Sequence, residues 1–136
     1  MLLTRKADFS ASHVCANPAL GDRENRRLYG AASNPNGHGH NYVLEVTVTG
    51  EPDINGYVMD LASLKKIVEI NLIEKVDHKN LNLDVDFMKG VIPTSENIVT
   101  KFWNEIEGEI NNNKRKLYSI KLFETENNIV EIKKEI

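Results

Sequence analysis

His38 and His40 are separated by a single residue and framed by Gly37, Gly39 and Asn41, so in an extended segment both imidazoles leave the chain on the same side. That spacing suits chelation of a metal ion by two ring nitrogens. A third imidazole, His13, ends an earlier stretch in which Ala7, Phe9, Ala11 and His13 share one face. If the two stretches pair, the three rings meet, and three neutral imidazoles with one open position mark a catalytic rather than a structural zinc. A histidine taken alone is more often packed and hydrogen-bonded than metal-bound; the paired spacing is what turns the reading toward metal. Glu124 follows Tyr118, Ile120 and Leu122 on the apolar side of its own segment, where a carboxylate is costly unless something satisfies it. Asp77 and His78 are adjacent, a pattern that by itself usually describes a surface pair. Cys15 is the lone cysteine, so neither an intramolecular disulfide nor a cysteine-based zinc site is available. Two residues beyond His13, it would bring its thiol near a bound metal if that strand continued, although a lone cysteine is more commonly a small buried apolar group.

The elements that must position these groups follow from periodicity. Leu3 to His13 predicts a strand, and His38 to Thr49 predicts a second, with His38, His40, Tyr42, Leu44, Val46 and Val48 on one face. Ala16 to Gly37, rich in Asn, Gly, Pro and Arg, reads as a loop closed by the turn signal Asn34-Pro35-Asn36-Gly37. Asp60 is a plausible N-cap for a helix whose apolar face is Leu61, Leu64, Val68, Leu72 and Val76. Thr94, after Pro93, caps a second helix carrying Ile98, Phe102, Ile106 and Ile110, with Val99 and Trp103 beside them. Asn111 to Lys116 reads as a solvated connection, and Leu117 to Glu124 with Ile129 to Lys133 as a hairpin. The order β-β-α-α-β-β implies an α+β fold, a four-stranded antiparallel sheet with two helices packed on one face.

At 136 residues the chain fits a single domain. Its 40% hydrophobic and 27% charged residues are ordinary for a globular protein. No stretch suits a transmembrane span or a signal peptide, and a cytoplasmic protein with no membrane partner is expected. A net charge of −3 argues against nucleic acid as a partner, since phosphate neutralisation needs a basic surface.

Five blocks, in order and across essentially the whole chain, resemble the 6-pyruvoyltetrahydropterin synthases. They are Phe9-Ser10-Ala11-Ser12-His13, Asn34 through Tyr42, Val76-Asp77-His78-Lys79-Asn80-Leu81, Thr94-Ser95-Glu96-Asn97 and Phe123 through Asn128. The related 6-carboxytetrahydropterin synthases of queuosine biosynthesis share the zinc histidines and the Asp-His pair, so the resemblance speaks to the family more than to the product. It implies the tunnelling fold, zinc as the only cofactor, and 7,8-dihydroneopterin triphosphate as a small-molecule substrate that loses triphosphate and rearranges by internal redox on the way to tetrahydrobiopterin. His13, His38 and His40 match the family's zinc ligands, Asp77 and His78 its proton-transfer pair, and Glu124 its pterin anchor, assisted by Thr94 and Ser95; capping alone explains Thr94 equally well, and the same ambiguity covers Glu96. Arg23, Arg26, Arg27 and Lys79 lie near the matched loops and are candidates for the triphosphate, none singled out. The resemblance further implies a homohexamer, a dimer of trimers, with active sites between chains. The chain departs from the family at Ala32. Six residues before the His-x-His pair the family carries a cysteine that acts as general base, and a methyl group accepts no proton. Either the base is lost by substitution, or another group such as Cys15 takes the role, or the chain is a catalytically silent pterin-binding protein.

Overall fold

The computed structural model of the chain describes residues 1–134. Two long strands, β1 (Leu2–His13) and β2 (His38–Gly50), form its spine. They pair antiparallel over their whole length, with Phe9 opposite Tyr42, Ala11 opposite His40 and His13 opposite His38. Between them lies α1 (Asp22–Tyr29), then a tight 3₁₀ turn, Gly30–Ser33. After β2 come α2 (Leu61–Val68), a π-turn over Glu69–Ile73, and the short α3 (Glu74–Val76). The two-residue β3 (Lys79–Asn80) adds parallel to the edge of β1. Helix α4 (Ser95–Ile110) leads into β4 (Arg115–Phe123) and β5 (Ile129–Lys133). The sheet order is β3-β1-β2-β4-β5.

The expected α+β arrangement of antiparallel strands with helices on one face is what forms, enlarged by β3 and by α1. Helix α1 falls in the segment read as loop. It has no apolar stripe for periodicity to detect; instead Asp22 and Glu24 occupy its first turn and Arg26 and Arg27 its last, complementing the helix dipole. Gly30, at φ 61°, ends it. Strand β4 starts at Arg115, inside the run read as a connection, because Asn111 Oδ1 accepts the Leu117 N–H and Asn112 Oδ1 accepts those of Lys114 and Arg115.

The core lies between the sheet and the two long helical segments. Tyr42, Leu44, Val46 and Val48 of β2 are buried against Leu64, Val68, Leu72 and Val76 and against Ile98, Phe102, Ile106 and Ile110. Both N-caps form as their sequences require: Asp60 accepts the Ser63 N–H, and Thr94 Oγ1 accepts the Asn97 N–H. Leu61, the first residue of α2 and expected on its apolar face, is instead 57% exposed, and the buried face of α2 is carried by Leu64 and Val68. A bulge between Thr47 and Val48 shifts the β2–β4 register, so Ser119 opposes Thr47 and Leu117 opposes Val48.

Candidate functional site

The histidine cluster is a consequence of register. Strand β1 places His13 directly opposite His38, and His40 lies one pleat further along on the same face. Gly39 allows the close approach this needs, for a Cβ there would sit 2.9 Å from the carbonyl oxygen of Ala11. The three ligand nitrogens lie within 4.8 Å of one another, and the Nε2 atoms of His13 and His38 are 3.2 Å apart. Two ligands on a tetrahedral zinc at ordinary bond lengths are separated by about 3.3 Å. His13 is fully buried, and its Nδ1–H donates to the carbonyl of Pro93 at 2.8 Å, which fixes the tautomer and leaves Nε2 as the free lone pair. Burial holds His13 and His40 below the usual imidazole range, keeping them neutral and ready to bind metal. Among the described residues, His38 Nδ1 and His40 Nε2 are buried without a hydrogen-bond partner. For His40 that orphaned nitrogen has the donor character a zinc site needs, so the residues fit the ion.

Glu124 is the first residue past β4. Its backbone N–H donates to Asn128 and closes the hairpin, and one carboxylate oxygen lies 3.6 Å from His40 Nε2. The other accepts a hydrogen bond from Ser95 Oγ at 2.9 Å. Glu124, Thr94, Ser95, Glu96 and Cys15 line one cleft of about 420 Å³ beside the histidines. Thr94 also spends its hydroxyl on capping α4, at 3.3 Å from the Asn97 nitrogen.

The Asp77–His78 pair opens elsewhere. His78 has φ 60°, and its N–H donates to Ser10 while Asp77 Oδ1 accepts the Ser10 N–H, so the pair is clasped to the edge of β1. His78 Nδ1 stands 3.0 Å from Asp77 Oδ1, with the imidazole 82% exposed. Hydrogen bonding from Ser10, with His78 second, holds the Asp77 carboxyl below the usual carboxylate range. His78 borders a cleft of about 550 Å³ with Ser10, Ser12, His40 and Asn41.

Cys15 and Ala32 are neighbours: the Cys15 N–H donates to the Ala32 carbonyl at 2.8 Å. The thiol lies 3.7 Å from His13 Nδ1, the ring nitrogen turned away from the cluster, and 3.7 Å from the Pro93 carbonyl. Burial, reinforced by the charges of Glu124 and Glu96, pushes it up to about 11, so it keeps its proton at neutral pH. Of the four basic candidates, Arg27 is paired with Glu24, Arg26 lines a separate pocket with Gly30, Ala31, Ser33 and Asn34, and Lys79 borders the His78 cleft. Two participants left no mark in the sequence: the Pro93 carbonyl and the Ser10 backbone. Backbone groups carry no residue signature, and only folding brings them to His13 and Asp77.

The protein-family model described as 6-pyruvoyl tetrahydropterin synthase matches residues 2–135. The 6-pyruvoyl tetrahydrobiopterin synthase of Pongo abelii is 46% identical over 134 residues, covering 98% of this chain and 91% of that protein. That of Homo sapiens is 44% identical over the same shares. The solved structure of Caenorhabditis elegans 6-pyruvoyl tetrahydropterin synthase superposes with a TM-score of 0.91 at 38% identity, covering 99% of this chain and 96% of that one. With likeness in sequence and fold spanning nearly every residue, and with the histidine cluster and Glu124 beside each other in the fold, the chain belongs to the 6-pyruvoyl tetrahydropterin synthase family.

Proposed function

We propose that the chain is a zinc-binding pterin synthase whose substrate is 7,8-dihydroneopterin triphosphate, with Glu124 as the pterin anchor and with a weakened proton-abstraction step because Ala32 stands where the family has cysteine. The observation that carries this reading is the proximity of Glu124 to His40, at 3.6 Å. A carboxylate that accepts the paired 2-amino and N3–H donors of a pterin would thereby direct the side chain of the substrate toward the three histidines. His13, His38 and His40 would hold the zinc, which supplies a Lewis acid to oxygens of the substrate side chain when bound. The reaction eliminates triphosphate and moves hydrogen between side-chain and ring carbons, and needs no external reductant.

The proton work falls to Asp77 and His78. Asp77, kept ionised by the Ser10 N–H, holds His78 Nδ1 in its protonated tautomer, so Nε2 is free to accept or return a proton. The exposed position of His78 on a separate cleft supports a homohexamer in which the pair of one copy serves the anchor and histidines of another. The deciding experiment is turnover of dihydroneopterin triphosphate by the zinc-loaded protein with products identified by mass. Slow formation of the pyruvoyl product is expected. A carboxy product with acetaldehyde would assign the chain to the queuosine branch instead, and pterin binding with no product at all would make it a silent binder.

A further inference from the structure

We propose that Asn97 is a positioning residue for the metal centre: its side-chain amide locks the turn that carries the Pro93 carbonyl, and through that carbonyl it fixes the His13 imidazole for zinc. The inference rests on the reading of the three histidines as a zinc site. The turn is made of Ile92, Pro93 and Thr94. The Thr94 N–H donates to the Ile92 carbonyl at 2.8 Å, and the same carbonyl accepts a hydrogen bond from Asn97 Nδ2 at 2.9 Å. A bond between residues two apart closes a three-residue turn, and a proline at its centre has φ already restricted to the range that such a turn uses. On its far side, the Pro93 carbonyl accepts the His13 Nδ1–H at 2.8 Å.

Peptide planarity joins these bonds. The Pro93–Thr94 peptide is trans, so the Pro93 carbonyl points opposite to the Thr94 N–H with which it shares a plane. Turning that N–H onto Ile92 therefore aims the carbonyl out of the turn, at His13. The turn holds only while the Ile92 carbonyl stays in place, and the Ile92–Pro93 peptide has no N–H to anchor its other side. Asn97 keeps it there. It is the third residue of α4, and its own N–H is held by Thr94 Oγ1 at 3.3 Å, so the amide is presented from the capped end of the helix. Asn97 is exposed, whereas Pro93 and His13 are buried. Its substitution thus disturbs the clamp and leaves the core packing alone. Without the clamp the Pro93 carbonyl is free to swing, and the imidazole loses the partner that leaves Nε2 as the lone pair beside His38.

The test measures zinc affinity of the full chain by competition with a chelator and, in the metal-free protein, solvent exchange of the His13 Nδ1–H proton by nitrogen-edited NMR. Asn97→Asp keeps the size of the side chain and suits the first turn of a helix, where negative charge is favoured, but it sets an oxygen where the Ile92 carbonyl needs a donor. It is expected to bind zinc about tenfold more weakly, the lower end of what losing an outer partner of a metal-bound histidine costs. Its metal-free melting temperature should match that of the unmodified protein. The His13 proton, slow to exchange in the unmodified protein, should exchange fast in the variant. Asn97→Ala, which removes the amide without adding charge, should weaken zinc binding to about the same extent. The inference is overturned if zinc affinity stays within about twofold in both variants, or if it falls while the His13 proton remains slow to exchange. It is also overturned if only Asn97→Ala loses affinity and does so together with its melting temperature, the signature of a loosened helix. Unmodified, folded protein that takes up no zinc would instead sink the zinc reading and this inference together.

Discussion

Imidazoles packed against one another in a buried space are poor hosts for protons and good hosts for a divalent cation. His13 and His38 bring their Nε2 atoms to 3.2 Å, a spacing that a proton shared between them or a metal can satisfy. The expected outcome is a single zinc per chain that His38→Ala abolishes, read by metal analysis after dialysis against a chelator; full retention of zinc in that variant would remove the three-histidine assignment. The chemistry of the missing base is equally local. Cys15 sits beside Ala32 but holds its proton to about 11 and lies against the far nitrogen of His13, so it is poorly suited to replace the family's cysteine. Ala32→Cys should therefore raise single-turnover conversion of dihydroneopterin triphosphate by about 10² to 10⁴, the range a positioned general base supplies, whereas Cys15→Ser should change it by less than about threefold. If Cys15→Ser abolishes turnover and Ala32→Cys adds nothing, Cys15 is the base after all. The side chains of this site could be named from the sequence, His-x-His above all. That the Ser95 hydroxyl donates to Glu124 could not be read there, since the two lie 29 residues apart and meet only in the folded chain.

Strands β1 and β2 convert a spacing into a site, and Gly39 stands where β2 lies close against the β1 backbone. A methyl group there meets the Ala11 carbonyl at 2.9 Å, a backbone atom that cannot move without opening the ladder. Gly39→Ala is expected to destabilise the protein by about 1 to 3 kcal/mol and to weaken zinc binding, measured by denaturant unfolding and zinc titration. Gly108 in α4 makes the contrast: a Cβ there meets nothing within 4 Å, and Gly108→Ala should stabilise by about 0.5 to 1 kcal/mol through helix propensity alone. Equal effects of the two substitutions would show that close packing at Gly39 is not what matters. Strand alternation in β1 and β2 and the capped helices were legible because burial on one face writes itself into residue order. Helix α1 was not, because its stability rests on charge placement and a terminating glycine rather than on an apolar stripe.

For the whole molecule, the neutral histidines link stability to pH. His13 and His40 are held below their ordinary value of 6.5, chiefly by burial. The unfolded chain therefore takes up protons at a higher pH than the folded one. Stability of the metal-free protein is present above pH 6.5, is lost progressively as pH falls below it toward the depressed folded values, and levels off beneath them. Denaturant unfolding of metal-free protein at neutral pH and at about pH 5.5 should show this loss, and replacing both residues with Gln should flatten it; an unchanged slope in that variant would place the pH dependence elsewhere. Assembly is the other property at this scale. Among the described residues, edge strand β5 and the part of β1 that β3 leaves uncovered carry no further strand partner, and intersubunit pairing would satisfy their backbone groups. Light scattering should find a hexamer; a folded, zinc-binding monomer at micromolar concentration would refute the assembly.

The sequence by itself determined the α+β class, the candidate metal-ligand residue types, the two helix caps and the family, because these depend on side-chain identity and on periods of two and about 3.6 along the chain. Tertiary structure alone decided that His13 stands opposite His38, since register is a relation between strands and not a property of either. It decided that His78 borders a different cleft from Glu124, with a left-handed backbone at His78 and its N–H bonded to Ser10. It also decided that Cys15 remains a thiol: burial and two nearby carboxylates set its protonation, and both arise only when distant segments pack together.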